Sequence, residues 1–269
     1  MDQENAMKAI VYHRYGTPDV LELTEVDKPV AKDDEVLVRI HASSVKTDDL
    51  ELLTGTIFVR PGGLRKPKYR VLGSDIAGSV EAVGNKVTQF QLDDEVFADL
   101  TLCGFGAFAE YVSVPESALA LKPANLTFED AAAVPSAAII PLQGLRDKTR
   151  VGPGDRVLIN GAGGGLGTFA VQIARSFGAE VTGVDSTEKL DMIRSIGADH
   201  VFDYTQEDFT RGDQRYDLIL DLAVYQSFAE FRQIFGCKRV LSPGGRYVSL
   251  IVGGLTVRIF RALFLKPWM

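Results

Sequence analysis

Apolar and polar positions alternate through the first part of the chain and recur at helical intervals through much of the rest, with the change near residue 125. Met7 to Tyr12, Leu21 to Val26 and Glu35 to Ile40 read as strands, separated by turn signals at Gly16-Thr17-Pro18 and Asp33-Asp34. Val71 to Gly84, Asp94 to Asp99 and Phe108 to Val114 continue that pattern, and helical periodicity is scarce. From Thr127 the pattern changes. Thr127 suits an N-cap, Glu129 and Asp130 suit the electropositive first turn of a helix, and an alanine run extends to Val134. A domain boundary is therefore expected after Lys122-Pro123, dividing the chain into residues 7–125 and 126–269.

In the second part, Val157 to Ile159 form a short apolar run suited to a buried parallel strand. Asn160 to Gly167 follow with five glycines in eight residues. Thr168 to Phe177 then place Phe169, Ala170, Ile173, Ala174 and Phe177 at helical spacing, with Gly178 where a C-cap belongs. A strand over Glu180 to Val184 ends in Asp185, and Thr187 to Ile196 reads as a helix. Further strands are expected at Val201 to Phe202, Tyr216 to Asp221 and, after the turn Pro243-Gly244-Gly245, Arg246 to Ile251. This alternation predicts an α/β fold with a doubly wound parallel sheet and a ligand crevice outside the strands' carboxyl ends. Asp185, Asp221 and Ser249 to Val252 should face that crevice.

The glycine stretch adds candidate chemistry. Ala162, Gly164 and Gly167 satisfy the A-x-G-x-x-G form of the dinucleotide fingerprint, in which missing side chains let backbone amides approach a pyrophosphate. The amides of Gly163, Gly165 and Leu166 fall within the same cradle. Asp185 stands 18 positions after Gly167, near the spacing of a ribose-binding carboxylate. A purely structural turn and a methyltransferase cofactor loop remain alternatives. The order strand, glycine turn, helix, strand favours the dinucleotide.

Composition narrows the remaining classes. The chain has 269 residues, 46% of them hydrophobic, and a net charge of -7 with no Lys/Arg stripe to meet nucleic-acid phosphates. Cys103 and Cys237 stand far apart with no C-x-x-C spacing, which fits a reducing cytoplasm better than a disulfide framework. The opening MDQENAMKAIVY lacks an apolar signal core, and no run of 18 apolar residues is present to span a membrane.

Six stretches, MKAIVYHRYG, EVLVRIHASSV, VLGSDIAGSVEAVG, GAFAEYVSVP, AAAVPSAA and VLINGAGGGLGTFAVQIARSFGAEV, together resemble the medium-chain dehydrogenase/reductase family. The resemblance runs from Met7 to about Gly253 and is strongest to the zinc-free quinone oxidoreductase, or zeta-crystallin-like, branch. It implies a GroES-like catalytic domain over residues 7–125 followed by a Rossmann nucleotide-binding domain. Zinc-using members place a cysteine and a histidine in the segments matching Val45 and Ser74, where this chain has neither ligand. His13, His41 and His200 show no ligand spacing, so no metal is expected. By this resemblance the chain is an NAD(P)H-dependent reductase of quinones or α,β-unsaturated carbonyls, acting on small molecules with neither nucleic acid nor membrane as partner. A non-catalytic or redox-sensing dinucleotide binder, or an inactive remnant, is the alternative.

The resemblance divides on the cofactor. Zinc-free relatives usually take NADPH, whereas Asp185 occupies the position where a carboxylate grips the ribose of NAD. Ser186 and Lys189 are placed to compensate on a 2'-phosphate, and Tyr204 matches a tyrosine that contacts that phosphate in relatives. Substrate-side candidates are Lys46, where relatives have asparagine, with Thr47 and Asp49 beside it; Ser136 and Ile139 match positions lining the cleft. Ser43-x-x-Lys46 matches a serine-acylase pattern formally, without its companion motifs. Family members continue past the position where this chain stops at Met269, so a truncated member with an incomplete cleft, reduced stability and a weakened case for a homodimer is expected. Leu255 to Leu265 reads as the amphipathic start of a further helix.

Overall fold

A computed structural model describes residues 6–55, 66–223 and 233–249, with the side chains of residues 233–235 left out. The expectations for Val252 and for Leu255 to Leu265 lie outside the described residues. The chain divides into two compact units, Met1–Ser136 and Ala137–Met269. That division falls beyond residue 125 because helix Phe128–Ala132 packs into the first unit, burying Ala131 and Ala132 against Ala77. Thr127 caps this helix as its sequence predicts, its hydroxyl accepting the Asp130 amide at 3.1 Å.

In the first unit β1 (Ala6–Val11) pairs antiparallel with β2 (Glu22–Asp27). Five further strands, β3 (Glu35–Ser43), β4 (Asp75–Val83), β5 (Glu95–Asp99), β6 (Tyr111–Pro115) and β7 (Leu119–Leu121), form an antiparallel sheet in the order β6-β3-β4-β5-β7. Alternation places Val36 and Val38 of β3, Ile76 and Val80 of β4, Val96 and Ala98 of β5, and Val112 and Val114 of β6 in one core. Two local expectations are corrected. The strand expected from Val71 begins at Asp75, with Val71 making only a bridge to Val11. Helix Thr47–Thr54 lies in the half where helical periodicity is scarce, because only Asp49, Leu52 and Leu53 of its residues are buried. It ends at Gly55, whose φ of 65° suits a residue without Cβ.

The second unit is a parallel sheet of β8 (Arg156–Asn160), β9 (Glu180–Asp185), β10 (His200–Asp203), β11 (Tyr216–Asp221) and β12 (Leu241–Ser249), in the order β10-β9-β8-β11-β12. The chain winds outward from β8 through β9 and β10, then returns to β8's other side, which sets a topological switch point at that strand. Both faces are buried. Val157, Ile159, Leu218 and Leu220 pack with Ala170, Val171 and Ala174 of helix Gly165–Ser176. Leu158, Val184 and Ile219 pack on the other face with Phe209, Tyr216, Cys237 and Val240. Each fully buried aliphatic side chain of this kind contributes about 1.5–3 kcal/mol. This is why β8 reads as an unbroken apolar run rather than an alternating one.

Two boundaries differ from expectation here too. β12 begins at Leu241 rather than Arg246, because Leu241 pairs with Tyr216 and the register shifts before Arg246 meets Leu218, absorbing the Pro243-Gly244-Gly245 turn. The helix expected over Thr187 to Ile196 is divided into a 3-10 turn, Thr187–Lys189, and an α-helix, Leu190–Ser195. No helix among the described residues is long and apolar enough to cross a membrane.

Candidate functional site

The turn after β8 is built by its own main chain. The amides of Gly161 and Ala162 both donate to the Val184 carbonyl, at 3.0 and 3.1 Å, and the Gly164 amide donates to the Gly161 carbonyl at 3.1 Å. Gly161 sits at φ 81°. A Cβ on Gly167 would stand 2.1 Å from the Gly161 oxygen, so only glycine lets the helix start this close to the turn. Gly164 caps the helix with no side chain. The first helical amides, at Gly165, Leu166 and Gly167, have no carbonyl one turn before them, the arrangement that attracts phosphate oxygens. Gly165 is exposed, with open space where a Cβ would project.

Asp185, at the end of β9, closes the other side of this turn. Its Oδ2 accepts the Gly163 amide at 2.7 Å, its Oδ1 accepts the Ser186 amide at 2.9 Å, and Lys189 Nζ stands 3.3 Å from Oδ1. The absent side chain of Gly163 makes room for Lys189, whose Cδ would lie 2.6 Å from a Cβ there. Ser186 Oγ also reaches Glu188 at 3.3 Å. Tyr204 donates its amide to the Asp185 carbonyl and is 56% exposed. Beside Asp185 in register, Asp203 accepts hydroxyl donations from Thr187 and Thr205, which hold its carboxyl below the usual range.

Asp221 and Ser249 do end adjacent strands in register, and Asn160 stands beside Asp221 on β8. Asp221, only 1% exposed, takes the Asn160 amide at 2.9 Å and the Tyr247 hydroxyl at 2.5 Å. The structure thus places Asp221 in a network internal to the sheet edge.

The first unit holds a second polar cluster. Lys46 Nζ donates to Ser136 Oγ at 2.6 Å and stands 3.3 Å from Asp75 Oδ2. Ser136 Oγ donates to that same carboxylate oxygen at 2.6 Å, and Ser44 Oγ approaches it at 3.3 Å. Asp75 is fully buried at the start of β4, and burial pushes its carboxyl above the usual range, opposed by Ser136 and Lys46. Asp49 accepts the amides of Lys46 and Gly73, at 2.8 and 3.2 Å, and burial raises its carboxyl also. Asp49 thereby fixes the loop that carries Lys46. Thr47 is exposed at the first position of its helix, and Ile139 is 45% exposed. Asp75 and Ser44 were absent from the sequence candidates. The available signal was a lone carboxylate inside the apolar stretch VLGSDIAG, since an unpaired buried aspartate is rare.

Val45 is 81% exposed and Ser74 is buried, and neither side chain is a usual zinc ligand. Among the described residues no group of three or more His, Cys, Asp and Glu side chains is placed to hold a metal. His41 contacts Ser79 at 3.0 Å and stacks on Phe128, His200 contacts Glu180 at 2.9 Å, and His13 is exposed.

Comparison with known proteins agrees with both halves of this architecture. Residues 32–124 match the alcohol dehydrogenase GroES-like domain, and residues 165–257 match the zinc-binding dehydrogenase model. The quinone oxidoreductase of Sus scrofa is 32% identical over 258 residues, covering 93% of this chain and 74% of its own. The chain belongs to the medium-chain dehydrogenase/reductase family, in its quinone oxidoreductase branch. Two plant proteins are more similar in sequence. The 2-methylene-furan-3-one reductase of Solanum lycopersicum is 38% identical, and the chloroplastic NADPH-dependent alkenal/one oxidoreductase of Arabidopsis thaliana is 35% identical, each over 95% of this chain. The chain spans 64% and 65% of their respective lengths. Among solved structures, the quinone oxidoreductase of Pseudomonas syringae superposes with a TM-score of 0.78 at 28% identity, over 90% of this chain and 73% of its own.

Proposed function

We propose that this chain is a zinc-independent NAD(P)H-dependent oxidoreductase that reduces quinones or α,β-unsaturated carbonyls. The observation that carries the reading is the turn Gly161 to Gly167, with an exposed Gly165 opening the helix, beside the Asp185 and Lys189 pair. These residues fit a dinucleotide: the amides of Gly165, Leu166 and Gly167 suit the pyrophosphate, and Asp185, Ser186, Lys189 and Tyr204 suit the adenosine ribose and its substituent. Bound nicotinamide supplies the hydride. Relatives named alkenal/one, furanone and quinone reductases support the acceptor class.

Such acceptors suit a chain with valine and serine where zinc-using relatives have ligands. Hydride enters a conjugated acceptor at an already electrophilic centre, so no metal is required to stabilise an alkoxide. Either nicotinamide cofactor is accommodated. Asp185 offers acceptors to ribose hydroxyls, while Lys189, with 42% of its side chain exposed, is free to turn toward a 2'-phosphate. The free thiols of Cys103 and Cys237 suit the reducing cytoplasm. A homodimer, as the family admits, is checked by mass in solution.

The decisive experiment titrates the purified chain with both reduced cofactors, then adds menadione and a panel of alkenals. Saturable binding with cofactor oxidation is expected. Binding without turnover of any acceptor would assign a non-catalytic dinucleotide binder, and failure to bind either cofactor would overturn the proposal.

A further inference from the structure

We propose that the second unit binds a phosphate-bearing small molecule in an arginine-lined cleft at the amino ends of β11 and β12. The inference does not depend on the reductase reading. Arg215 immediately precedes β11, and Arg239 lies in the last turn of helix Gln233–Val240, just before β12. β11 runs parallel to both β12 and β8, and the glycine turn follows the carboxyl end of β8. The cleft therefore sits at the opposite edge of the sheet from that turn, about 17 Å away along the strand direction.

Three segments build the cleft. The 3-10 turn Phe209–Arg211 supplies Thr210 and Arg211, the loop before β11 supplies Gly212, Asp213 and Arg215, and the helix supplies Arg239. Together these residues line a space of about 450 Å³. Gly236 lets the helix approach the turn, since a Cβ there would stand 2.5 Å from Thr210 Oγ1. Arg239 follows three positions later on the same helix face and donates to Thr210 Oγ1 at 3.4 Å. Thr210 is buried and fixed, its hydroxyl donating to Asp208 at 2.6 Å.

The positive charge is not cancelled locally. Arg211 Nε pairs with Asp208 at 3.1 Å. Arg215 turns Nη1 back to the carbonyls of Gly212, Asp213 and Gln214, at 3.3, 2.9 and 3.0 Å. Among the described residues neither Arg215 nor Arg239 forms an ion pair. Three guanidiniums against the carboxylates of Asp208 and Asp213 leave one net positive charge, in a chain whose net charge is -7. Nε and Nη2 of Arg215 and most donors of Arg239 remain to take oxygen atoms, and a guanidinium fork matches phosphate oxygens two at a time. Among the described residues no aromatic or aliphatic side chain lines the cleft, so it offers a nucleobase or a lipid chain nothing to pack on. A compact phosphate ester or pyrophosphate is the class that fits.

Inorganic pyrophosphate is the probe, titrated into the isotope-labelled full chain and followed by main-chain amide resonances. Shifts are expected at Thr210, Arg211, Gly212 and Arg239. Arg239→Gln removes one guanidinium from an exposed position, so it should melt as wild type does while pyrophosphate binds about tenfold or more weakly. Arg215→Lys keeps the charge and loses the fork; it should also weaken binding, and it decides the point if Arg239→Gln melts lower. Absence of shifts at those four amides, or affinity unchanged by the variants, would overturn the site. Shifts confined to Gly163 to Gly167 would overturn it too, placing the anion on the glycine turn instead. Citrate binding here as tightly as pyrophosphate would overturn the assignment to phosphate.

Discussion

The main-chain amide of Gly163 donates to the Asp185 carboxylate at 2.7 Å, so the acidic residue that ends β9 ties down the turn that follows β8. Lys189 lies across the same contact, its stem over Gly163 and its ammonium 3.3 Å from Asp185 Oδ1. One carboxylate therefore shapes the turn and sets the charge beside it. On the proposed reading, ligand preference and turn stability are coupled through this side chain.

Replacing Asp185 with serine separates the two roles. A carboxylate about 4 Å from a 2'-phosphate costs on the order of 4 kcal/mol at an effective dielectric near 20, and Lys189 offsets part of that. Asp185→Ser should shift the NADPH-to-NADH affinity ratio toward NADPH by at least about tenfold, read by fluorescence titration. It should also lower stability by about 1–3 kcal/mol, because the shorter side chain leaves the Gly163 amide without its acceptor. An unchanged ratio would show that Asp185 does not face the adenosine ribose.

Much of the second unit was legible because β8, β9 and β11 are compact, mostly buried runs ended by a polar residue. Asp203 ends its strand opposite Asp185 and Asp221 opposite Asn160, while Asn160 pairs with Val184, one position before Asp185. The sequence also showed the cap at Thr127, where a hydroxyl and two acids precede an alanine run. Helix Thr47–Thr54 was hidden for the opposite reason. Its sequence TDDLELLT has too few buried positions to show a periodicity, and Asp49 fixes its start by accepting the amides of Lys46 and Gly73. Long-range polar contacts leave no local pattern. Lys46 and Ser136 are 90 positions apart, and their partner Asp75 lies 61 positions from Ser136.

Asp75 and Asp203 should give stability opposite dependences on pH. Burial raises the Asp75 carboxyl in the folded chain, so its contribution is greatest below the unfolded value near 3.8 and is lost as pH rises through the raised folded value. Hydrogen bonds from Thr187 and Thr205 lower the Asp203 carboxyl, so its contribution is present above 3.8 and is lost as pH falls through the lowered folded value. Thermal melts against pH should show wild type gaining on Asp75→Asn as the solution is acidified toward 3.8. Wild type should lose ground to Asp203→Asn below it. Parallel curves for either pair would contradict the assigned direction.

The two thiols should differ sharply in reactivity. Cys237 is 1% exposed, and burial pushes its thiol up to about 12, whereas Cys103 is exposed. Burial and Asp99 raise the Cys103 thiol as well, so it should react more slowly than a free cysteine but remain reachable. Iodoacetamide followed by peptide mass analysis should label Cys103 in the native chain, and both cysteines only in denaturant. Native labelling at Cys237 would show that helix Gln233–Val240 opens from its core.

Two glycines of the same turn should respond in opposite ways to the same added methyl. On Gly167 a Cβ would lie 2.1 Å from the Gly161 oxygen and 2.6 Å from the Ala162 carbonyl carbon, both main-chain atoms that cannot swing aside. Gly167→Ala should therefore cost about 3 kcal/mol or more, either unfolding the turn or forcing helix Gly165–Ser176 off β8. On Gly165 a Cβ meets nothing within 4 Å, and the position begins the helix. Gly165→Ala should leave the melting temperature unchanged or raised, since alanine loses less entropy than glycine on becoming helical. On the proposed reading its methyl, which a helix directs toward its own N-terminus, would take space that the pyrophosphate needs. A stable Gly165→Ala chain with dinucleotide affinity reduced by about tenfold or more is the expected outcome. Calorimetric melting and cofactor titration on the same sample check it, and wild-type affinity would mean that the phosphates do not approach this turn.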